Sequence, residues 1–400
     1  MSVIHFHHSI KHDAGDTRRV RNIDKSVCDR LSSEKIEVLI YGWSRREEFK
    51  KAPLFTLTEN VKKKYCFSML YRIKWIGELT SGLQLAYVCK KHKAQYIVSE
   101  FGTSSRSLKL LRYLCPKVKI VVDFHGAQPE EMLYENPNMA KSLYNYYEKY
   151  EKLSCKIADC IICQSNEMKQ HLVSKYNADG NKIAVFKCGV DIKHFDIKSK
   201  EEKKAVRKEL GIKERDVVFV YAGGITKWQK IDASLKIFKE YNAYNLDSKF
   251  LILTRDTDKL KVILDTPEFC HIKDSVIIKS VQHNMVPRYL NAADMAFLLR
   301  DNVILNAVAS PTKLAEYLAC GLPIITSSVA KKWVKPEIEK ELIFTDKAVE
   351  DINQEIDNVL KKHNAETIRK YAIDDLSVEI DEKNIEDILN KVFNIKPQTV

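Results

Sequence analysis

The sequence predicts an α/β fold with two Rossmann-like, doubly wound domains whose sheets are mostly parallel. Two observations predict it: strand-like and helix-length segments alternate along the chain, and the alternation starts again after residue 200. Such alternation is typical of parallel sheets with helices on both faces. The length of 400 residues also exceeds one ordinary hydrophobic core.

The first domain is predicted from short runs rich in β-branched residues. These runs read SVIHFHH, KIEVLIY, QYIVSE, KIVVDFH, CIICQS and KIAVFKC. The series ends near KCGVDIKHFDIKSKEEKK, where a strand gives way to a charged linker. We therefore expect a first domain over residues 1–190, to which a C-terminal helix at about residues 376–400 returns.

The second domain is expected over residues 191–375. Its strand-like runs read DVVFVYAG, KFLILT, SVIIKS, MAFLLR, LPIITS and LIFT. In open parallel sheets, ligands bind at the carboxyl ends of the strands. The loops at those ends contain no G-x-G-x-x-G, no P-loop and no G-x-S-x-G elbow, which argues against a standard dehydrogenase, a P-loop NTPase and an α/β-hydrolase.

Composition indicates a globular protein of a reducing compartment. No run approaches 18 apolar residues, and MSVIHFHHSIKHD is too short and too polar for a signal peptide, so we expect a cytoplasmic location.

The ten cysteines are scattered, mostly in apolar runs, and are expected to be reduced. Cys160 and Cys163 lie in a strand-like run that would point them to opposite faces, and neither Cys155 nor His5 and His7 complete a ligand set, so no metal is expected.

The net charge of +12 is carried by one half of the chain. Residues 1–190 contain 32 Lys and Arg against 20 Asp and Glu, whereas the remaining 34 bases and 34 acids cancel. An excess confined to one half points to an anionic partner for that half.

Residues 310–328, SPTKLAEYLACGLPIITSS, predict a helix that begins at an anion site. Ser310 is expected to be the N-cap and Pro311 the first helical residue. The free N–H groups of the first turn, with the side chain of Lys313, would bind phosphate. Glu316 lies one turn later, where its carboxylate would accept hydrogen bonds from a ribose diol.

The end of this helix is also predicted from sequence. Gly321 should end it and Pro323 should prevent its continuation, while Leu314 and Leu318 pack on the sheet. An ordinary capped amphipathic helix with an exposed lysine and glutamate explains this segment alone equally well.

SPTKLAEYLACGLPII closely resembles the donor-binding signature of GT-B glycosyltransferases, especially the glycosyltransferase family 4 members with S-P-T-K-x-x-E-Y. Other segments resemble further motifs of that family in the same order along nearly the whole chain. They are DAGDTRRVRN, DFHG, KIAVFKCGVDIKHF, YAGGITKWQKID and VPRYLNAADMAFLLRD. The signature at 310–325 is the specific one among them.

The resemblance implies a retaining transfer of a sugar from a UDP- or GDP-linked nucleotide sugar to a glycan or polyprenyl-linked acceptor, in cell-envelope or surface polysaccharide biosynthesis. It implies no cofactor and no required metal. The catalytic residues would be His125, Lys227 and Lys313. The donor would be bound by Gly15, Gly223, Gly224, Lys227, Arg300, Ser310, Thr312, Lys313, Leu314 and Glu316.

The roles implied by the resemblance differ among these residues. Glu316 would bind the ribose hydroxyls, and Lys313 and Lys227 would stabilise the charge that develops on the departing diphosphate. His125 would contact the sugar or acceptor near the anomeric carbon. A capped strand end remains the alternative for His125, and a solvated loop lysine the alternative for Lys227.

Three positions depart from the family pattern. The first glutamate of E-x7-E falls at Val308, so the identity of the donor sugar cannot be carried over. The usual arginine and lysine of the second domain are replaced by Gly224 and Gln229. A non-catalytic GT-B protein that binds a nucleotide sugar or glycan as a partner subunit therefore remains an alternative.

The segment VKKKYCFSMLYRIKWIGEL at residues 61–79 mixes bases with aromatic side chains. It is expected either to lie on the anionic inner face of the plasma membrane or to form an ordinary half-buried helix. Nucleic acid is a weaker explanation of the basic charge because no recognisable nucleic-acid-binding motif is present. An epimerase or phosphorylase with the same fold is a lesser alternative.

Overall fold

The computed structural model describes residues 74–100, 105–346 and 349–378, Ile380, and the backbone of three N-terminal strands. Gly15 and nearly all of the predicted C-terminal helix lie outside these residues. The described residues form two compact units. The first runs to Cys188 and includes Val308–Ser310, and the second comprises Gly189–Ala307 and the residues from Pro311 to Ile380.

The first unit contains a sheet of seven parallel strands in the order β3-β2-β1-β4-β5-β6-β7. The strands are β1 Ser2–His7, β2 Glu37–Gly42, β3 Val61–Tyr65, β4 Tyr96–Glu100, β5 Lys119–Phe124, β6 Cys160–Cys163 and β7 Ile183–Val185. The described helices are α1 Lys74–Lys91, α2 Ser105–Leu114, α3 Gln128–Glu135, α4 Lys141–Ile157 and α5 Asn166–Tyr176.

The second unit contains six parallel strands in the order β10-β9-β8-β11-β12-β13. The strands are β8 Val217–Ala222, β9 Ser248–Leu253, β10 Val276–Lys279, β11 Met295–Leu298, β12 Ile324–Thr326 and β13 Leu342–Phe344. The helices are α6 Lys200–Glu209, α7 Ile231–Tyr244, α8 Thr257–Leu264, α9 Val286–Leu290, α10 Ile304–Ala307, α11 Thr312–Ala319, α12 Val349–Lys362 and α13 Ala365–Leu376.

The central strands are apolar runs because both faces of each sheet are covered. In β8, every residue from Val218 to Ala222 is buried, and β5 is buried from Ile120 to its end. Phe219 and Phe297 stack on adjacent strands with ring centroids 5.5 Å apart. Such continuous burial is typical of parallel sheets. The predicted architecture of two parallel-sheet α/β domains is confirmed.

A helix was one of the two structures expected for the basic segment 61–79, but the start of this segment is not helical. Val61–Tyr65 form the strand β3, which pairs with β2 so that Lys63 lies opposite Ile40. The helix α1 begins only at Lys74. Lysine side chains on an edge strand hinder the pairing of that strand with other chains. The three lysines of β3 therefore suit its position at the edge of the sheet.

The predicted packing of the cysteines agrees with the structure where they are described. Cys160 and Cys163 lie in β6 and are buried, and Cys155 lies in α4. Burial raises the pKa of the Cys155 thiol to about 12, so it remains protonated at neutral pH. Among the described residues, Cys89, Cys115, Cys155, Cys270 and Cys320 are free thiols.

Candidate functional site

The candidate site of the second unit lies where its strand order reverses, between β8 and β11. β8 ends at Ala222 and is followed by Gly223, and β11 ends at Leu298 and is followed shortly by Arg300. The helix α11, which carries Lys313, follows in the chain. Ligands of doubly wound sheets bind at this position, outside the carboxyl ends of the strands.

The side chain of Lys313 reaches back from α11 over the end of β8. Its Nζ donates to the Tyr221 hydroxyl at 3.0 Å and to Oε1 of Gln229 at 2.7 Å. The same ammonium lies 4.5 Å from the centre of the Tyr221 ring. Lys313 is therefore held in one place by a tyrosine and an amide.

Gly223 makes room for that ammonium. A Cβ atom built on Gly223 would lie 2.0 Å from Lys313 Nζ and 2.4 Å from its Cε, and the φ angle of Gly223 is +150°. The backbone conformation disfavours any residue other than glycine, and a side chain at this position would have to displace the end of the Lys313 side chain. The predicted role of Gly223 in donor binding thus has a structural basis in the path of the Lys313 side chain.

A second cation, Arg300, converges on the same amide as Lys313. Its Nη2 donates to Gln229 Oε1 at 2.7 Å, and its guanidinium lies 4.8 Å from the centre of the Trp228 ring. Arg300 and Gln229 are 5% and 6% exposed, so this hydrogen bond is largely screened from bulk water. Two positive charges thus meet at one neutral oxygen.

Burial keeps the tyrosine of this cluster protonated. Burial raises the pKa of Tyr221 well above its ordinary value, while nearby Arg300 acts in the opposite direction. The Tyr221 hydroxyl donates to the Gly224 carbonyl at 2.6 Å and accepts from Lys313. It is therefore a neutral support for the lysine at physiological pH.

Glu316 lies one helical turn after Lys313 and is 5% exposed. Its Oε1 is 3.2 Å from Nε2 of His283, which follows β10. The His283 ring also lies near Phe195, with centroids 5.4 Å apart. The structure therefore brings Glu316, Lys313 and Arg300 to one end of this sheet, as the sequence predicted, and places His283 beside the carboxylate.

The start of α11 differs from the prediction. The helix begins at Thr312 with Pro311 as its N-cap, and no side chain caps it. The hydroxyl of Ser310 instead accepts a hydrogen bond from the Cys188 amide at 3.0 Å. The prediction of Ser310 as N-cap was wrong because a partner distant in sequence satisfies the hydroxyl.

The end of α11 follows the prediction. The helix ends at Ala319, and Gly321 has a left-handed φ of +73°. Leu314 and Leu318 are buried against the sheet, and the amide of Leu314 donates to the Pro311 carbonyl at 3.1 Å. The predicted binding of the donor phosphate by the Leu314 amide remains a prediction.

Three other predicted residues lie near this end of the sheet. Lys227 begins a 3-10 turn over Lys227–Gln229 and is exposed. Gly224 is exposed next to Gly223, and Thr312 is half-buried at the first position of α11. Their predicted roles in donor binding stay predictions.

In the first unit, His125 directly follows β5. Its Nε2 is 3.0 Å from Oδ2 of Asp123, the penultimate residue of that strand, which is 3% exposed. A carboxylate at this distance fixes the orientation of the imidazole ring. The catalytic role expected for His125 stays a prediction, and Asp123 is a partner that the sequence analysis did not single out.

The described residues contain one group whose side chains could surround a cation: Glu130, Glu151 and His171, with ligand atoms within 4.8 Å of one another. The ammonium of Lys175 already contacts Glu130, and Glu151 accepts from Gln128 N at 2.9 Å and Tyr176 Oη at 2.5 Å. Because positive charge and donors are supplied by the chain, we assign no metal to this group.

Val308, which replaces the first glutamate of the family pattern, is 1% exposed and packs in the core of the first unit. Its carbonyl accepts from the Ser165 hydroxyl at 2.6 Å and from the Gln164 side chain at 3.2 Å. The position therefore has a structural role in this chain.

Sequence reasoning missed two tyrosines of the site. Tyr221 is the penultimate residue of β8, and the fully buried hydroxyl of Tyr317 accepts from the Ala222 amide at 2.9 Å. Each tyrosine lies in a segment that resembles a family motif. In sequence, however, a tyrosine within an apolar run cannot be distinguished from an ordinary core residue. Only the directions of these hydroxyl groups reveal their roles.

Two family models match the chain, one to each unit. The model described as Glycosyltransferase Family 4 matches residues 25–194, and the model described as Glycosyl transferases group 1 matches residues 202–375. The two matches together cover most of the sequence.

Curated relatives are distant. An uncharacterized glycosyltransferase of Methanocaldococcus jannaschii is 23% identical over 283 residues, 68% of this chain and 67% of that protein. A chitobiosyldiphosphodolichol beta-mannosyltransferase of Debaryomyces hansenii is 21% identical over 238 residues, 55% of this chain and 49% of that protein. The chain thus spans about two thirds of the first relative and half of the second.

Among solved structures, Anabaena HepE in complex with UDP is similar over its full length. The TM-score is 0.72 at 13% identity, with 98% of this chain and 100% of that chain covered. At this identity, the likeness concerns the fold.

Proposed function

We propose, from the premise that the chain belongs to the GT-B glycosyltransferases of glycosyltransferase family 4, that it transfers a hexose from a nucleotide-diphosphate sugar to an acceptor. The observation that carries the proposal is the placement of Lys313 and Arg300 at the switch point of the second sheet, with the buried carboxylate of Glu316 one helical turn after Lys313. Cations suit a diphosphate, and a carboxylate suits a ribose diol.

The proposed chemistry is the breaking of the bond between the anomeric carbon and the diphosphate oxygen. The departing diphosphate keeps the electron pair, while the acceptor hydroxyl oxygen bonds to the same carbon and its proton passes to the departing diphosphate. Lys313 and Arg300 would stabilise the charge that develops on the leaving oxygen. Retention of configuration is part of the proposal and rests on the resemblance of the donor signature.

The donor is proposed to be linked to UDP or GDP. HepE was solved with UDP, and its fold is similar to that of this chain. The acceptor is proposed to be a glycan or a polyprenyl-linked glycan of the cell envelope or surface polysaccharide. His125, oriented by Asp123, would contact the sugar or the acceptor.

Binding followed by turnover tests the proposal. Thermal-shift measurements with UDP-, GDP-, dTDP- and CMP-sugars should give a shift with one nucleotide class, and the best ligand should be consumed with release of its nucleoside diphosphate. Lys313→Ala should abolish the shift. A protein that shifts with none of the four classes contradicts the proposal.

The second candidate is a non-catalytic GT-B protein that binds a nucleotide sugar or glycan as a partner subunit. Val308 favours it, because an acidic residue of the family pattern is absent there and the position is packed in the core. Binding of the donor without any turnover, across acceptors that include polyprenyl-linked glycans, would support this candidate over the enzyme.

We also propose that the first unit rests on an anionic membrane surface. Leu79, Leu83 and Tyr87 follow one another at four-residue spacing on α1 and are 46%, 50% and 64% exposed. An outward helix face is ordinarily polar, so a line of three exposed apolar side chains is unusual. Among the described residues, no helix is long and apolar enough to cross a bilayer.

Charge near this stripe favours an anionic partner. The helix that carries the stripe ends in the two bases Lys90 and Lys91, and Lys93 follows two residues later. Apolar burial together with attraction to anionic lipid gives reversible surface binding.

Liposome flotation tests the membrane proposal. The protein should float with vesicles containing anionic lipid and remain behind with neutral ones, and Leu83→Glu should reduce its recovery at least fivefold. Val262→Glu, which changes an exposed valine of α8, is the matched control and should float like the unmodified protein. Equal recovery with neutral and anionic vesicles contradicts the proposal.

A further inference from the structure

We propose that Gln229 is a positioning residue that holds Lys313 and Arg300 side by side through one neutral oxygen, which orients the two cations without placing a negative charge of its own beside the diphosphate of the donor. This inference rests on the proposed function. It assigns to Gln229, a position where the resembled family has lysine, a task of its own.

The geometry of the amide carries the inference. Oε1 of Gln229 accepts from Lys313 Nζ and from Arg300 Nη2, each at 2.7 Å. The backbone carbonyl of Gln229 lies 3.5 Å from Arg300 Nη1, and that nitrogen also donates to the Leu299 carbonyl at 2.7 Å. The side-chain amide of Gln229 therefore contacts both cations, and the Arg300 guanidinium is also held by the backbone carbonyls of Gln229 and Leu299.

Two aromatic residues also contact the two cations. Trp228 lies against the Arg300 guanidinium, and the Tyr221 hydroxyl binds Lys313 from the other side. The Tyr221 oxygen is also 3.0 Å from Gln229 Oε1. Side chains held in this way lose little freedom when an anion binds, which favours binding and preorganises the site.

The neutrality of the amide is the essential feature. A carboxylate at the same place would accept the same two hydrogen bonds, but its charge would cancel one of the two positive charges. An amide oxygen orients the donors with only a partial charge. In a site screened from water, this difference acts strongly on a bound anion.

The tips of the side chains at 229 and 313 also meet at one point. An ammonium and an amide oxygen lie 2.7 Å apart there, one carried by the loop after β8 and the other by α11. Exchanging the two residues should leave one ammonium and one amide at the same place. The contribution of the ammonium should therefore depend on its position and much less on which element carries it.

The first experiment adds a negative charge without removing a hydrogen-bond acceptor. Binding of UDP and GDP to the full chain is measured by calorimetry for the unmodified protein and for Gln229→Glu. We expect at least tenfold weaker binding of the preferred diphosphate, with an unchanged or raised melting temperature. A purely structural Gln229 would instead leave binding unchanged. Gln354→Glu, an exposed change of equal charge on α12, is the control and should bind like the unmodified protein.

The second experiment is a rescue. Lys313→Gln alone should weaken diphosphate binding at least tenfold, and the exchange variant Gln229→Lys with Lys313→Gln should restore it to within about threefold of the unmodified protein. The corresponding nucleosides should bind all variants alike, because the effect is directed at the phosphates. Failure of the exchange variant to recover any binding, while it remains folded, contradicts the inference.

The outcomes separate this inference from the function on which it rests. An unmodified protein that binds neither diphosphate overturns the proposed function and the inference with it. An unmodified protein that binds one of them, with Gln229→Glu binding it equally well, overturns the inference alone.

Discussion

The ammonium nitrogen of Lys313 lies 2.0 Å from the point that a Cβ atom of Gly223 would occupy. The end of the Lys313 side chain therefore occupies the space that a Cβ atom at position 223 would need, so a larger residue there would have to displace a side chain 90 positions away. A residue type that usually indicates a tight turn here also determines where a charge can lie.

Gly223→Ala should displace the Lys313 side chain. We expect at least tenfold weaker binding of a nucleoside diphosphate, together with a loss of about 1 kcal/mol or more in the free energy of unfolding because of backbone strain. Calorimetric binding and urea unfolding measure the two effects. Gly211→Ala is the control, since Gly211 has a φ of +68° and no atom within 4 Å of its added Cβ. It should lose stability but keep binding; a Gly223→Ala protein with unaltered binding would disprove the role of this contact.

Glu316→Gln should remove the preference for ribose. A carboxylate hydrogen-bonded to the diol strengthens binding by about 1.5–3 kcal/mol, roughly tenfold or more. The unmodified protein should prefer UDP to 2′-deoxy-UDP, or GDP to 2′-deoxy-GDP, whereas the variant should bind the two members of the pair equally. Glu337→Gln changes an exposed glutamate of the same unit and should keep the preference. Retained discrimination in Glu316→Gln would place the ribose elsewhere.

Val308→Glu restores the acidic residue of the family pattern but should not restore a functional group. Val308 is 1% exposed, and hydrogen bonds from Ser165 and Gln164 fix its backbone. A carboxylate there would be buried in an apolar core, so we expect destabilisation on the order of 3 kcal/mol or more. Chemical unfolding measures it, with Val262→Glu on the exposed face of α8 as the control. A stable variant with increased activity would show that this position can reach the substrate.

The buried carboxyl of Glu151 should make stability fall as pH rises. Burial raises its pKa from 4.5 to about 7, and the hydrogen bond from Tyr176 acts in the opposite direction. Between pH 4.5 and 7 the folded protein binds more protons than the unfolded chain, so the contribution of Glu151 to the free energy of unfolding decreases over that window. Above pH 7, the contribution of Glu151 to the free energy of unfolding is constant at its lowest value.

Glu151→Gln tests this dependence. Urea unfolding at a series of pH values should show that the stability difference between variant and unmodified protein changes from pH 4.5 to 7. The neighbouring His171 has a lowered pKa because of burial, which weakens the fold as pH falls below 6.5. Glu148→Gln changes a half-exposed carboxylate on the same helix α4 and serves as the control for the loss of one acidic group. A constant difference across this pH range for Glu151→Gln would contradict the assignment.

Local patterns of sequence determined most of the fold. The apolar run of β8, the glycine at 321 and the leucines of α11 have effects that extend over a few residues, so alternation and turn chemistry are sufficient to predict them. The failures occurred where a distant partner intervened. Ser310 is an ordinary N-cap residue by type, yet the Cys188 amide binds its hydroxyl.

The composition of the candidate site was partly predictable for the same reason. Lys313, Arg300 and Glu316 were expected at one edge because the carboxyl ends of parallel strands meet there. The contact between Gln229 and both cations was not predictable, since it joins three segments of the chain. The placement of Val308 in the first core was also missed, because burial depends on packing partners that its own segment does not contain.

The sequence by itself determined two parallel α/β units, a basic first half and the residue types at the ends of the strands, because periodicity, composition and motif spacing are properties of the chain. Only the tertiary structure decided that a neutral amide joins two cations above a glycine. Hydrogen bonds and charges act over a few ångströms, and those distances exist only after residues far apart in the chain have been packed together.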